Sequence, residues 1–235
     1  KGICMRVFAI SDLHLSVNNP KPMDIFGPTW ENYIEKIFDD WRAKVTSEDV
    51  VLLAGDFSWA MKLEDVIADF DMLKDLPGKK VIIRGNHDYW WKSISAVRKI
   101  LPPNFYAIQN DAIKFENVVI CGTRLWNIPD FKKATEEDVK IYKRELIRLN
   151  LTLDSAKQLQ KEGDKLICML HYPPYSFKEE DNEITKIMEE YKVDAVVYGH
   201  IHAYCRQNLI LKKNSVVYYL TSCDIVKNTL IPIEV

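Results

Sequence analysis

Apolar positions in this chain follow two alternating patterns. Short continuous runs rich in Val, Ile and Leu, at Arg6–Ile10, Val50–Ala54 and Val81–Ile83, read as buried strands. Between them, apolar residues three and four apart read as helices. Ile34, Ile37, Phe38 and Trp41 form such a stripe within Trp30–Lys44, which Thr29 is placed to cap. Leu63, Val66, Ile67, Phe70 and Leu73 form the next, ended by Pro77-Gly78, and a third helix is expected over Trp90–Ile100 before Pro102-Pro103. Three strands alternating with three helices argue a layered α/β fold, with sites at the carboxyl ends of the strands.

The pattern changes after Pro103. Phe105–Ile108, Ala112–Phe115 and Val118–Cys121 read as short strands, with Asn110-Asp111 and Glu116-Asn117 as hairpin turns. Thr135 is placed to cap a long charged helix reaching towards Gly163. Its one apolar seam is Val139, Tyr142, Leu146, Leu149, Leu153 and Ala156. Packing on the sheet or on a neighbouring helix accounts for that seam; a dimer contact or a cap over the substrate are the alternatives. Lys165–Leu170, a helix near Asn182–Tyr191 and Ala195–Tyr198 resume the alternation. Leu209–Leu211, Val216–Leu220 and Leu230–Ile233 read as strands closing a second sheet, with Lys212-Lys213-Asn214 as a turn. Without repeats or a linker, one domain over 1–235 is expected, with a helical insertion at about 130–163.

Chemistry enters at the ends of these strands. After Val81–Ile83 comes Gly85-Asn86-His87-Asp88, and a βα loop whose Asn86 or Asp88 caps the next helix would explain one such quartet. The arrangement recurs, however, as Ser11-Asp12-Leu13-His14, Gly55-Asp56, His171-Tyr172-Pro173-Pro174 and Gly199-His200-Ile201-His202. All 5 histidines lie at strand ends, so none is left to be an incidental surface residue. Period-two alternation would aim Asp12 with His14, and His200 with His202, to a common side. Imidazole with carboxylate and no thiolate suits Mn, Fe, Zn or Co better than Ca or Mg. With Asp12, Asp56 and Asn86 the histidines exceed the needs of one ion and match those of two. Two ions about 3.5–4 Å apart activate a water and clamp both oxygens of an in-line phosphoryl displacement. One carboxylate must then bridge, and one imidazole is best kept off the metals as general acid.

Composition bounds the setting. Hydrophobic content of 47% and charged content of 28% are ordinary for a soluble globular protein. A net charge of −2 gives no global attraction to nucleic acid or an anionic membrane. Cys4, Cys121, Cys168, Cys205 and Cys223 are odd in number and contain no C-x-x-C pair, which reads as reduced, packed thiols. No apolar run reaches transmembrane length and the first residues lack a signal-peptide layout, so a cytoplasmic, membrane-free protein is expected.

Asp12-x-His14, Gly55-Asp56, Gly85-Asn86-His87-Asp88, His171 and Gly199-His200-x-His202 resemble, in order and spacing, the calcineurin-like metallophosphoesterase superfamily, over residues 6 to 202. The resemblance implies an α/β/β/α sandwich of two mixed sheets flanked by helices, with a dinuclear centre along one edge. It implies that Asp12, His14 and His202 hold one metal, that Asn86, His171 and His200 hold the other, and that Asp56 bridges. His87 would protonate the leaving oxygen and Asn86 steady the phosphate. The expected cofactors are two divalent or trivalent transition-metal ions, Mn foremost with Fe or Zn as alternatives. The expected substrate is a phosphorylated small molecule or nucleotide, as a phosphomonoester or phosphodiester attacked by a metal-bridging hydroxide.

Departures narrow the choice. The superfamily's protein phosphatases extend Gly-Asp with Asp-Arg-Gly, whereas Gly55-Asp56 continues Phe57-Ser58-Trp59-Ala60. The lipid-A-pathway pyrophosphate hydrolases typically carry Arg where this chain has His87. Arg124 is the candidate replacement phosphate contact, and a surface salt bridge is its plainer explanation. Trp91 and Trp126, with Trp30, Trp59 and Trp90, lie shortly after loops or strand ends near the expected centre. They could form an aromatic rim that stacks on a flat leaving group, or pack in the core. Two alternatives remain beside the enzyme: a non-catalytic scaffold of the same fold, which the filled ligand positions argue against, and a nuclease, for which no basic stripe is present. Homo-oligomerisation is left open.

Overall fold

Strand β1 (Val7–Ile10) shows how the chain is layered. Val7 and Ala9 enter one apolar core, while Phe8 and Ile10 enter another. Strand β2 (Val50–Leu53) divides its side chains in the same way, which is why a continuous apolar run was required: both faces are covered. The structure is a computed structural model, and it describes residues 5–203 and 208–235. Cys4 and Cys205 lie outside the described residues; Cys121, Cys168 and Cys223 are free and buried, as the reading of packed thiols expects.

The strands form two mixed sheets. In the first, β11 (Ile231–Ile233), β1, β2, β3 (Lys79–Ile82) and β4 (Phe105–Ala107) lie side by side in that order. All neighbours are parallel except β11, which runs antiparallel to β1 with Val7 opposite Ile233. In the second, the order is β5 (Asp111–Phe115), β6 (Val118–Thr123), β7 (Lys165–Leu170), β8 (Ala195–Tyr198), β10 (Val216–Leu220), β9 (Ile210–Lys213). The two outermost pairs are antiparallel and the inner ones parallel.

Three cores stack through the molecule. Val50, Leu52, Val81, Ile120, Ile167 and Val197 belong to the layer between the sheets. The outer face of the first sheet is covered by α1 (Tyr33–Lys44), α2 (Ile67–Leu73) and α3 (Ile94–Ile100), through Ile37, Trp41, Phe70 and Val97. The outer face of the second is covered by α4 (Glu136–Leu159) and α5 (Glu183–Glu190), through Leu149, Leu153 and Met188. This is the expected α/β/β/α order. The α4 seam faces β5 and β6, so the helix is one of the covering layers. Its start is a capping box: Thr135 Oγ1 accepts from Asp138 N–H at 3.1 Å, and Thr135 N–H donates to Asp138 Oδ2 at 3.0 Å.

Several elements differ from expectation. Asn110-Asp111 is not a hairpin: β4 pairs parallel with β3 in the first sheet, whereas β5 pairs with β6 in the second, so the turn carries the chain between sheets. Leu230–Ile233 contributes β11 to the edge of the first sheet rather than closing the second; an edge position tolerates Pro232, which has no N–H to give. Helices α1, α2 and α3 start later than periodicity implies. A short 3-10 turn at Pro28–Trp30 precedes α1, whose N-cap is Asn32 at φ 50° instead of Thr29. Ser93 caps α3 by accepting from Ala96 N–H, leaving the preceding residues to build the site.

Candidate metal centre

The loops after β1, β2, β3, β7 and β8 converge at one edge of the sandwich. Backbone bonds tie them together: Asp12 N–H donates to Gly55 C=O at 3.0 Å, and His14 N–H to Asp56 C=O at 3.0 Å. The two sheets also meet here, since Ser11 N–H reaches Thr221 C=O at 2.9 Å. Asp12, His14 and Asp56 all have positive φ, at 59°, 47° and 50°, as does His200 at 72°. Strand alternation has therefore ended before these residues. Asp12 and His14 do meet in one cluster, but through turn geometry, and His200 and His202 diverge to different neighbours. Left-handed backbone costs a non-glycine residue about 1–3 kcal/mol, and such strain gathers at functional sites.

Close approach explains two glycines. A Cβ on Gly85 would lie 2.1 Å from Asp56 Oδ1, and one on Gly199 would lie 2.3 Å from Asp12 Oδ2. Each glycine lets one loop pass directly behind the carboxylate of another.

Two groups of ligand atoms result, each with all its atoms within 4.8 Å of one another: Asp12, His14 and His202, and Asp12, Asp56 and His171. Asp12 belongs to both. Asp56 Oδ2 lies 3.8 Å from His14 Nε2 and 3.5 Å from His171 Nε2, so this carboxylate also stands between the groups. Asn86 Oδ1 lies 2.7 Å from His171 Nε2 and 2.8 Å from His200 Nδ1. Asp12 and His171 are fully buried, and Asp56 nearly so.

Outer partners orient these side chains. His171 Nδ1 is 3.0 Å from the Ala54 carbonyl, which turns Nε2 towards Asp56 and Asn86. His202 Nδ1 is 2.9 Å from Asp224 Oδ1, which turns Nε2 towards Asp12 at 3.4 Å. Asp224 also accepts from Ala203 N–H. Sequence reasoning did not find Asp224, because it sits in the turn after β10 with no motif around it. Asp88 caps no helix. It is fully buried and accepts from the N–H groups of Gly85, Phe57 and Ser58 and from Trp90 Nε1, clamping the loops after β2 and β3 together.

Electrostatics matches the packing. Burial pulls the His14 pKa down to about 4, with Asp56 opposing. Burial and the His171 charge hold His200 near 4. Burial also opposes protonation of His171 and His202, but carboxylates outweigh it. Asp56 and Asp12 raise His171 to about 9, and Asp12 and Asp224 raise His202 to about 10. Asp12 and Asp56 are held below the usual carboxylate range: burial opposes this, and it is outweighed mainly by His202 for Asp12 and by His171 for Asp56. Burial and the nearby Asp56 charge push Asp88 up to about 6.

His87 stands beside the ligand groups, half-buried. Its N–H donates to Asp56 Oδ1 at 2.8 Å and its ring lies 4.6 Å from that of Trp59, which stacks on His14 at 4.8 Å. The remaining tryptophans divide. Trp91 is 2% exposed and donates to Gln109 Oε1, so it packs in the core and does not reach a rim. Trp126 is half-buried with its ring 5.1 Å from that of Tyr172. The Arg124 guanidinium lies over Trp126 and 4.0 Å from Glu145, whereas its carbonyl accepts from the N–H groups of His171 and Tyr172. A cleft of about 910 Å³ opens from His200 and His202 along Ile128, Pro129, Pro173 and Phe177. Among the described residues no helix is long and apolar enough to cross a membrane.

Comparison with known proteins agrees with this picture. The family model described as calcineurin-like phosphoesterase matches residues 5–204. No curated protein matches the chain. Among solved structures, the protein of unknown function AQ665 from Aquifex aeolicus is 15% identical, with 97% of this chain and 96% of that one covered and a TM-score of 0.52. TT1561 of Thermus thermophilus is 12% identical, with 98% and 99% covered and a TM-score of 0.60. At such identities the likeness is one of fold.

Proposed function

This chain belongs to the calcineurin-like phosphoesterase family, and we propose that it hydrolyses a phosphomonoester or phosphodiester of a small molecule or nucleotide at a two-metal centre. The observation that carries the reading is the pair of ligand groups joined through Asp12, with Asp56 between His14 and His171. The donor set fits transition-metal ions: imidazole and carboxylate, no thiolate, and a buried His14 Nδ1 without a hydrogen-bond partner among the described residues. Asp12, His14 and His202 would hold one ion and Asn86, His171 and His200 the other, with Asp56 shared. Manganese, iron and zinc all suit these donors. When bound, the ions supply Lewis acidity and a water acidic enough to attack phosphorus.

The rest falls to the protein. The Ala54 carbonyl and Asp224 hold the His171 and His202 rings in fixed orientations. His87 delivers a proton to the leaving oxygen. Burial lowers its pKa, with Asp56 opposing, which makes the imidazolium a stronger acid while reducing the share of His87 that carries the proton at neutral pH. Asn86 steadies the phosphoryl group, and the cleft beyond His200 receives the organic portion. Trp126, whose neighbour Asn127 lines the cleft, is the candidate substrate contact, whereas Arg124 lines a separate, smaller cavity.

The test is the initial rate on para-nitrophenyl phosphate and bis-para-nitrophenyl phosphate, using metal-stripped protein reloaded with Mn. Activity is expected on reloading and its loss in Asp56→Asn. His87→Ala should cost about 10²–10⁴-fold on an alkyl phosphate, whose leaving oxygen needs a proton, and far less on para-nitrophenyl esters. Equal losses on both would remove His87 from the role of acid. Absence of turnover together with failure to hold two ions would favour the scaffold reading.

A further inference from the structure

Behind the loops that carry Asn86 and His171 lies a second polar cavity, of about 80 Å³. That exceeds the roughly 30 Å³ share of one water and gives room for a tetrahedral oxyanion. Its walls include Arg84, two residues after β3, Arg124, immediately after β6, and Glu145 and Arg148, one turn apart on α4. Arg148 Nη1 donates to Glu145 Oε1 at 2.6 Å, and Arg124 Nη2 stands 4.0 Å from the same oxygen. Half-exposed Arg144 approaches that oxygen from outside at 3.7 Å. Glu145 is fully buried in mid-helix, yet its Oε2 has no hydrogen-bond partner among the described residues, and the same holds for the buried Arg84 Nε.

Two features of this arrangement call for a ligand. Arg84, Arg124 and Arg148 line the cavity with a single carboxylate, and Arg144 reaches that carboxylate from outside, leaving positive charge in excess. An anion would offset that excess. A bare oxyanion, however, would meet Glu145 Oε2, which can only accept. The ligand must therefore bring its own donor. Inorganic phosphate keeps a P–O–H at neutral pH, sulfate has none, and a phosphomonoester is mostly fully ionised above about pH 6.

We propose that Arg84, Arg124, Arg148 and Glu145 form a second phosphate site, which takes inorganic phosphate through arginine donors and a P–O–H donated to Glu145 Oε2. Hydrolysis of a phosphomonoester would release this same ion, and that link alone rests on the phosphoesterase reading. The site adjoins the metal centre through the chain itself. Arg84 precedes Asn86 by two residues, and the Arg124 carbonyl binds the N–H groups of His171 at 3.2 Å and Tyr172 at 3.1 Å. Occupancy would thereby bear on two metal-ligand loops.

The test is calorimetric titration of the Mn-loaded full chain with inorganic phosphate and, in parallel, sulfate, together with the crystal structure of the phosphate complex. A phosphate in this cavity is expected beside any at the metals. Arg148→Gln should weaken that class of site about tenfold or more, and sulfate should fail to compete for it. Glu145→Gln, which replaces the acceptor with a group that can also donate, should admit sulfate. If it does not fold, Arg148→Gln and Arg148→Lys carry the test. Phosphate bound only at the metals, with wild-type and Arg148→Gln isotherms superimposed, would overturn the proposal.

Kinetics separates the sources of the phosphate. Inhibition by free phosphate with a non-competitive component that Arg148→Gln removes identifies the free ion. A lower KM for a substrate with a second phosphate, lost in Arg148→Gln, would instead identify a substrate-borne group in the same site. Cavity binding without metal-dependent turnover would overturn the proposed function and leave this site standing; turnover without cavity binding would do the reverse.

Discussion

Asp224 shows how much of this site depends on residues that make no claim to be ligands. Its Oδ1 takes the Nδ1 side of His202 at 2.9 Å and its Oδ2 takes Ala203 N–H at 2.8 Å, so ring and backbone are fixed by one carboxylate. A carboxylate behind a ligating imidazole fixes its tautomer and orientation, and losing one typically costs 10–100-fold in metal affinity. Asp224→Asn is accordingly expected to lower Mn affinity by about that factor, read by competition with a chelating dye, while the fold stays intact by circular dichroism. An unchanged affinity would show that His202 is held by packing alone. Gly199→Ala should be more severe, since its Cβ would lie 2.3 Å from both Asp12 Oδ2 and Ser11 Oγ. The ligand-type residues were legible because their chemistry and their place after apolar runs coincide. Asp224 was not, since only the folded chain brings it to His202. Trp91 shows a related limit: closeness in sequence to His87 does not decide which way a side chain turns, and of the rim and the core Trp91 takes the core, turning inward to Gln109.

At the scale of elements, the periodic segments were readable and their partners were not. β7, β8 and β10 lie where apolar runs place them, because a strand buried on both faces must be apolar throughout. The same pattern carries no information about which sheet a strand joins, so β4 and β11 were misassigned. The role of α4 is settled by contacts that periodicity cannot show. Thr152, fully buried on this helix, donates to the Asp111 carbonyl at 2.6 Å and accepts from Gly122 N–H at 2.8 Å. One hydroxyl thus pins the helix to β5 and β6 together. Thr152→Val keeps the volume and removes the hydroxyl, leaving a buried N–H without its partner. A loss of about 1–3 kcal/mol in urea unfolding is expected, with little change in the slope. A loss near zero would mean that apolar packing along Leu149, Leu153 and Ala156 suffices.

Across the whole molecule, folding and metal binding draw on the same buried charges. The folded metal-free chain collects Asp12, Asp56 and Asp224 with the imidazoles of His14, His171, His200 and His202 at one edge, and protons settle part of the resulting conflict. His171 and His202 are held protonated, with pKa values raised to about 9 and about 10 from an ordinary value near 6.5. A base whose pKa is raised on folding adds stability that is fully present below its unfolded value. That stability fades as pH rises through the folded one, here between about 6.5 and 10. Metal needs the unprotonated rings, so at neutral pH ions compete with protons on these two residues, whereas His14 and His200, lowered to about 4, are already free to bind. Two consequences differ in sign. The metal-free chain should lose stability from pH 7 towards pH 10, while the extra stability conferred by a fixed excess of Mn should grow over that interval. Calorimetric titration with Mn at pH 7.5, in buffers of different ionisation enthalpy, should therefore report close to two protons released when the centre fills. Thermal melts with and without Mn should diverge as pH rises. Release near zero at pH 7.5 would mean that His171 and His202 are neutral in the metal-free chain, and that Asp12 and Asp56 are balanced by some other charge.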